Sequence, residues 1–161
     1  MNRNSERGRC LEMKFFATLS SALEYSKHGM IEEWVHLFLN DEGNNIPFSD
    51  GLKLEKRYFI GPIEIPLSIL SRCCGPEENM KYVIEKDGFY ARVNRIYERY
   101  KRGWDMPPLI VNYNDSGFEL NDGNHRYEAL IKSDKARYYV IMWITGKEIL
   151  DEFVQKYSQF I

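Results

Sequence analysis

Five consecutive residues, Asp122–Arg126, are the ones whose types and spacing best suit the binding of a charged ligand. They read Asp-Gly-Asn-His-Arg and lie between a predicted strand at 117–120 and apolar residues at helical spacing from 127 onward. The first turn of a helix leaves backbone N–H groups unpaired and carries the positive end of the helix dipole. Glycine allows close approach of a ligand, and the histidine and arginine add side-chain donors. The segment therefore predicts a phosphate-binding corner.

The same five residues also fit a purely structural corner between a strand and a helix. In that interpretation Asp122 caps the helix and the Arg126 side chain is solvated. Gly-x-His-Arg is a short pattern, and the local chemistry does not separate the two interpretations.

The elements that must position this corner can be read from periodicity and turn residues. The apolar spacing predicts helices over about 11–28 and 30–40, a loop or extended arm through 46–53, and a short helix over 67–72. A basic helix follows from about 88 to 102, and a final helix covers 147–157. Strands are predicted at 58–65, 109–111, 117–120 and 138–143. The first of these strands contains Gly61-Pro62, which indicates an edge, a bend or a bulge.

Composition limits the classes of function. The formal net charge of -2 and the pI near 6.0 argue against a protein whose main partner is a nucleic acid. No apolar run approaches membrane-spanning length and no signal-peptide pattern opens the chain, so a cytoplasmic protein is expected. The adjacent Cys73 and Cys74 fit either a redox or metal pair or the inert end of a helix, and the second is favoured because intracellular thiols are usually reduced.

The order of these elements resembles the core of the ParB/sulfiredoxin-like superfamily over residues 57 to 145. The match includes Ile60–Leu67 as the opening strand, Pro107–Val111 as a second strand, and the strand, Asp-Gly-Asn-His-Arg and helix of the corner. The resemblance implies an α+β fold: a small mixed sheet flanked by helices, with an added N-terminal helical segment. The chain is accordingly divided into three parts: a disordered or expression-derived tail at 1–10, a helical extension at 11–45 and the superfamily domain at 46–161.

The resemblance also implies a function and a set of site residues. The corner is closest to the free-serine kinase branch. It departs from sulfiredoxins, which have a cysteine where this chain has Asn124, and no room remains after it for the DNA-binding domain of partition proteins. By resemblance, the phosphates are held by Gly123, Asn124, His125 and Arg126.

Catalytic carboxylates are also implied, at Asp122 and at Glu64 in the opening strand. Glu77, Glu78 and Glu85 compete with Glu64 for its assignment. Glu119 is a further candidate to orient the nucleophile, at a strand position expected to face away from the site, and Glu128 either holds Arg126 or faces solvent. Glu98 interrupts the cations of the basic helix, which are interpreted as a solvated face.

The leading hypothesis is Mg²⁺-dependent phosphoryl transfer from ATP or another nucleotide to a small-molecule acceptor, or hydrolysis of the nucleotide. It leaves open whether the chain is an enzyme, in which case it is a kinase-like phosphotransferase or an NTPase. The alternatives are a non-catalytic nucleotide-sensing module and, third, a ParB-like nuclease. The apolar stripe of the N-terminal helices suits either cover of the sheet or a homodimer interface.

Overall fold

The computed structural model describes residues 13 to 161, so the tail predicted for residues 1 to 10 and the first residues of the helical extension lie outside the described part. Six α-helices occur in that part: α1 Leu19–Lys27, α2 Ile31–Leu39, α3 Ile46–Leu52, α4 Lys86–Lys101, α5 Asn124–Lys132 and α6 Lys147–Lys156. The strands there are β1 Arg57–Pro66, β2 Leu70–Arg72, β3 Cys74–Gly75, β4 Tyr82–Val83, β5 Leu109–Asn114, β6 Gly117–Asp122 and β7 Arg137–Thr145.

Five of the strands form one mixed sheet in the order β1-β7-β5-β6-β2. β7 runs antiparallel to β1 and parallel to β5, whereas β6 runs antiparallel to β5 and parallel to β2. β3 and β4 pair separately as a short two-stranded sheet. The α+β class expected from the sequence is confirmed, and the apolar β7 does lie inside the sheet.

The two faces of the large sheet are covered by different helices. One face packs against α5 and α6 in a core that contains Val111, Leu120, Val140, Leu130 and Phe153. The other face is covered in part by α1, α2 and α3, which pack on Ile110 and Ile141 around the fully buried Trp34. The N-terminal helices therefore cover the sheet, one of the two roles that their apolar stripe suited.

The Gly-Pro pair in β1 interrupts the strand as expected. The pairing of β1 with β7 shifts register between Ile60 and Ile63, which is a β-bulge or a similar irregularity. The Gly61 carbonyl accepts a hydrogen bond of 2.7 Å from the Ser26 hydroxyl, which ties α1 to this strand.

Three of the predicted elements differ from the structure. The first helix begins at Leu19, because Thr18 caps it by accepting a hydrogen bond from the Ser21 N–H. Residues predicted as a loop or arm form α3, whose start is fixed by the Asn45 side chain and a proline in the first turn. The short helix predicted over 67–72 is a single 3₁₀ turn followed by β2, which gains hydrogen bonds from β6 that the sequence pattern did not reveal.

Candidate functional site

The backbone of the predicted corner depends on Gly123. β6 ends at Asp122, Gly123 adopts a left-handed φ of 99°, and α5 begins at Asn124. A Cβ at residue 123 would lie 2.7 Å from Leu109 Cδ2 and 2.8 Å from Arg126 Nη2. Glycine is therefore required here, and because it has no side chain, nothing at this position caps the first N–H groups of α5.

Arg126 is a brace inside the protein rather than a solvated side chain. Its guanidinium donates a hydrogen bond of 2.9 Å to Asp122 Oδ2 and one of 3.2 Å to the Pro107 carbonyl. It also lies over the ring of Phe38 from α2. The side chain is 7% exposed, and that of Asp122 is 14% exposed. Burial raises the pKa of Asp122, and the neighbouring Arg126 opposes that shift. The pair fixes the corner to α2 and to the segment before β5.

Asn124 is also engaged within the protein. Its side-chain oxygen accepts hydrogen bonds from the backbone N–H groups of Cys73 and Cys74, at 3.1 and 3.3 Å. Its side-chain nitrogen donates to the Leu120 carbonyl at 3.3 Å. The residue is 5% exposed, so its side chain joins the β2–β3 connection to the start of α5. This places the two cysteines, which the sequence assigned to a separate element, beside the corner.

His125, like Asp122 and Gly123, lines both of the cavities that adjoin the corner. Its ring packs against Phe89 of α4, with 4.6 Å between the ring centroids. Burial, together with the charges of Arg92, Arg126, Arg72 and Arg95, lowers the pKa of His125 to about 4. At neutral pH the ring is therefore uncharged and offers one N–H donor. Burial is the larger cause of this shift, and the four arginines that add to it place positive charge around the ring, which favours an anion.

The exposed cations at the corner come from α4, whose basic face lines a cavity instead of being simply solvated. Arg92, Arg95 and Arg99 lie on one side of α4 and line a cavity of about 300 Å³ together with Asp122 and His125. Within residues 13–161, Arg92 and Arg95 form no ion pair, whereas Arg72 and Arg126 each have a carboxylate partner. We call this cavity the arginine pocket. In the sequence, Arg92, Arg95 and Arg99 are spaced by three and four residues, and this spacing places side chains on one face of a helix.

A larger cavity of about 890 Å³ adjoins the arginine pocket at the corner. Asp122, Gly123, His125 and Arg92 line both. The larger cavity is rich in asparagine side chains and is called here the amide chamber; its floor is formed by Asn112, Asn114, Glu119, Asn121 and Trp143. The start of α5 thus lies between a cationic pocket and a chamber rich in side-chain amides, whose lining also includes the charged Lys81 and Glu119.

Glu64 is not brought to this corner. It lies half-exposed on β1, 3.2 Å from Arg137 Nε of β7, and lines a separate surface cavity. Of the competing glutamates, Glu77 and Glu128 both pair with Arg72, at 2.5 and 2.9 Å. Glu119, expected to face away from the site, lines the amide chamber.

The carboxylates that face the arginine pocket are Glu42 and Asp122. No group of three or more His, Cys, Asp or Glu side chains suited to a metal ion occurs in the part of the chain that the structure describes. Two carboxylates are too few to complete the octahedral coordination of Mg²⁺. They are enough where phosphate oxygens and waters supply the remaining ligands, as in enzymes that bind a nucleotide with Mg²⁺. Among residues 13–161, no helix combines the length and apolarity needed to cross a membrane.

Comparison with known proteins finds similarity in solved structures alone. No protein-family model matches the sequence, and no curated protein matches it. The chain is similar in fold to sulfiredoxin from Arabidopsis thaliana, with 20% identity, 60% of this chain and 97% of that chain covered, and a TM-score of 0.37. It is also similar to a Pnob8-like ParB-N domain, with 14% identity, 62% and 36% covered, and a TM-score of 0.34.

A third similar structure is the C-terminally truncated chromosome-partitioning protein ParB from Caulobacter crescentus, complexed with CTP-gamma-S. The identity is 14%, the match covers 65% of this chain and 54% of that chain, and the TM-score is 0.33. The chain thus spans about a third to a half of the length of the two ParB proteins. At these identities the likeness concerns the fold alone.

Proposed function

We propose that this protein binds a nucleotide whose phosphates lie at the start of α5, and that it uses Mg²⁺ to transfer or release a phosphoryl group. One observation carries the proposal. The uncapped N-terminus of α5 opens between two cavities beside Arg92 and Arg95, two arginines without ion-pair partners among residues 13–161. Backbone N–H groups, a helix dipole and arginine forks together form the arrangement that proteins use for phosphate.

The charge balance supports an anionic ligand at this point. The whole chain carries a formal net charge of -2, so the cluster of arginines around His125 is a local feature. Arg72 and Arg126 are neutralised by their own carboxylates, which leaves Arg92 and Arg95 to compensate an incoming charge. A nucleoside triphosphate supplies that charge, and a half-buried site screens the attraction less than open solvent does.

The chemistry required of the protein is alignment and charge neutralisation. Phosphoryl transfer needs cations on the transferred group and a group that orients the nucleophile. Arg92, Arg95 and the N–H of His125 would hold the phosphates, and Gly123 would allow their close approach. Glu42 and Asp122 would hold Mg²⁺, which neutralises charge on the phosphate oxygens when bound.

A second candidate function is a nucleotide sensor without catalysis. Asp122 is committed to Arg126 at 2.9 Å and is therefore not free to orient a nucleophile in this conformation. In that case the bound nucleotide would act by changing the position of α4 relative to the corner.

Calorimetry on arginine variants tests nucleotide binding. Arg92→Ala is compared with Arg102→Ala, which removes the same charge from the C-cap of α4, at a position outside the arginine pocket. We expect wild type and Arg102→Ala to bind ATP or CTP in the presence of Mg²⁺, and Arg92→Ala to bind about tenfold more weakly or worse, since a charge-assisted hydrogen bond contributes roughly 1.5–3 kcal/mol. Absence of binding by wild type, or equal loss in both variants, refutes the proposal.

Turnover of the nucleotide that binds then separates enzyme from sensor. Release of phosphate, or its transfer to an added small molecule, is measured with Mg²⁺ and with EDTA. Turnover that EDTA abolishes supports the enzyme, and tight binding without turnover supports the sensor.

A further inference from the structure

The floor of the amide chamber is a row of polar side chains on one face of the sheet. Asn112 of β5 pairs with Trp143 of β7 on one side and with Glu119 of β6 on the other, so the three side chains project from the same face. Asn114 and Asn121 extend the row along β5 and β6. Phe48 of α3 packs beside this row, against Trp143. The paired strands hold the row in a fixed arrangement.

These side chains are oriented by one another. Trp143 Nε1 donates to Asn121 Oδ1 at 2.9 Å, and Asn121 Nδ2 donates to Glu119 Oε1 at 2.8 Å. Asn114 Nδ2 donates to Asn112 Oδ1 at 2.6 Å. The second N–H groups of Asn121 and Asn114 remain for a ligand, whereas Asn112 Nδ2 donates to the Trp143 and Tyr113 carbonyls at 3.0 and 3.4 Å. Each side-chain oxygen keeps a second lone pair as an acceptor. The row is thus a preorganised set of donors and acceptors.

The chemistry of the walls selects the class of ligand. Lys81 Nζ lies 4.0 Å from Glu119 Oε1, so the charges near the floor offset each other. Phe48 and Trp143, with 6.0 Å between their ring centroids, add an aromatic wall. Side-chain amides donate and accept, as hydroxyl groups do, and aromatic rings pack against C–H groups. A cavity of about 890 Å³ accommodates a small metabolite.

We propose that the amide chamber binds a small, uncharged polyhydroxylated molecule, a polyol or a sugar, through Asn112, Asn114, Glu119 and Asn121. The chamber meets the arginine pocket at His125, so a hydroxyl of this molecule lies next to the place assigned to the phosphates. The molecule is then the acceptor of the transfer proposed above, and only this acceptor role rests on that function.

The three tryptophans allow the two cavities to be observed separately. Trp143 lines the chamber, Trp104 lines the arginine pocket, and Trp34 of α2 is fully buried. In Trp104→Phe the fluorescence of Trp143 reports on the chamber, and in Trp143→Phe that of Trp104 reports on the pocket. Glucose, sorbitol, gluconate and glucosamine are the probes, because they are similar in size and differ in charge, and adenosine is added as a probe without a phosphate.

We expect glucose or sorbitol to change the Trp143 emission, and gluconate and glucosamine to bind more weakly. Calorimetry should then show about tenfold weaker glucose binding in Asn121→Leu, which removes a hydrogen bond to the ligand. Binding should also be weaker in Glu119→Gln, because a neutral amide oxygen replaces a charged acceptor. The matched controls Asn94→Leu and Glu98→Gln, on the exposed side of α4, should bind as wild type does.

Three results overturn the inference: no response of Trp143 to any neutral polyol, preferred binding of a charged probe, or a response to adenosine alone. Glucose binding that both chamber variants leave unchanged also overturns it. The response of Trp104 to ATP is read in the same experiment. If Trp104 responds to ATP and Trp143 responds to no polyol, the chamber inference is refuted and the nucleotide proposal stands. If Trp143 responds to a polyol and Trp104 does not respond to ATP, the nucleotide proposal is refuted and binding in the chamber stands.

Discussion

Replacing Arg126 with methionine should destabilise the protein by about 3 kcal/mol. Loss of one partner from a buried ion pair costs about 3–5 kcal/mol, because the remaining charge stays buried. The Pro107 carbonyl would also lose its donor, at a cost of about 1 kcal/mol. Two features reduce the total: Asp122 keeps 14% exposure to water, and methionine retains the apolar packing on Phe38. Nucleotide affinity would fall as well, but as a result of the disturbed corner.

Urea denaturation followed by far-UV circular dichroism measures this effect. The matched control is Arg92→Met, which removes an exposed arginine and should change the free energy of unfolding by less than about 0.5 kcal/mol. The double variant Asp122→Asn/Arg126→Met removes both charges and should recover about half of the loss or more. Two results would refute a stabilising role for the buried Arg126–Asp122 pair. One is a loss of unfolding free energy below about 1 kcal/mol in Arg126→Met, and the other is a double variant whose loss equals the sum of the losses in the single variants.

Three further predictions concern the same corner. Asn124→Leu should lower the free energy of unfolding in urea by about 2–3 kcal/mol, because two N–H groups and the Leu120 carbonyl lose their partner. Gly123→Ala should cost at least about 1–3 kcal/mol in the same assay, since alanine is strained at a φ of 99° and its methyl meets Leu109. His125, with its pKa lowered from 6.5 to about 4, is neutral when folded, so protons favour the unfolded chain. Stability should fall as the pH is lowered from about 6.5 to 4, and His125→Gln should weaken that dependence.

The corner itself could be predicted because its signals are local. The alternation before Asp122, the glycine and the apolar spacing after His125 all lie within a few residues, and the structure has a strand, a left-handed glycine and a helix there. The role of Arg126 could not be read in the same way. Its burial depends on Phe38 and on the Pro107 carbonyl, which are distant in the sequence.

Which cations and carboxylates reach the site depends on how the helices and strands pack, and no local sequence pattern shows that packing. Arg92 and Arg95 were recognised as a basic helical face, but the direction of that face is set by the contact of Phe89 with α5. Glu64 was placed on the correct strand, and that strand lies at the edge of the sheet far from β6. The roles assigned to Asp122, Asn124 and His125 in binding and catalysis remain predictions.

The position of β7 inside the sheet has a consequence for how the chain is made. β1 and β5 are each complete long before residues 137–145, which must enter between them. A ribosome adds about 5–20 residues per second, so β1 waits several seconds for its partner with its edge unpaired. The hairpin of β5 and β6 needs no later residue and can form first. A nascent chain that pauses before Arg137 therefore presents two open strand edges, which makes that interval the natural moment for a chaperone to bind.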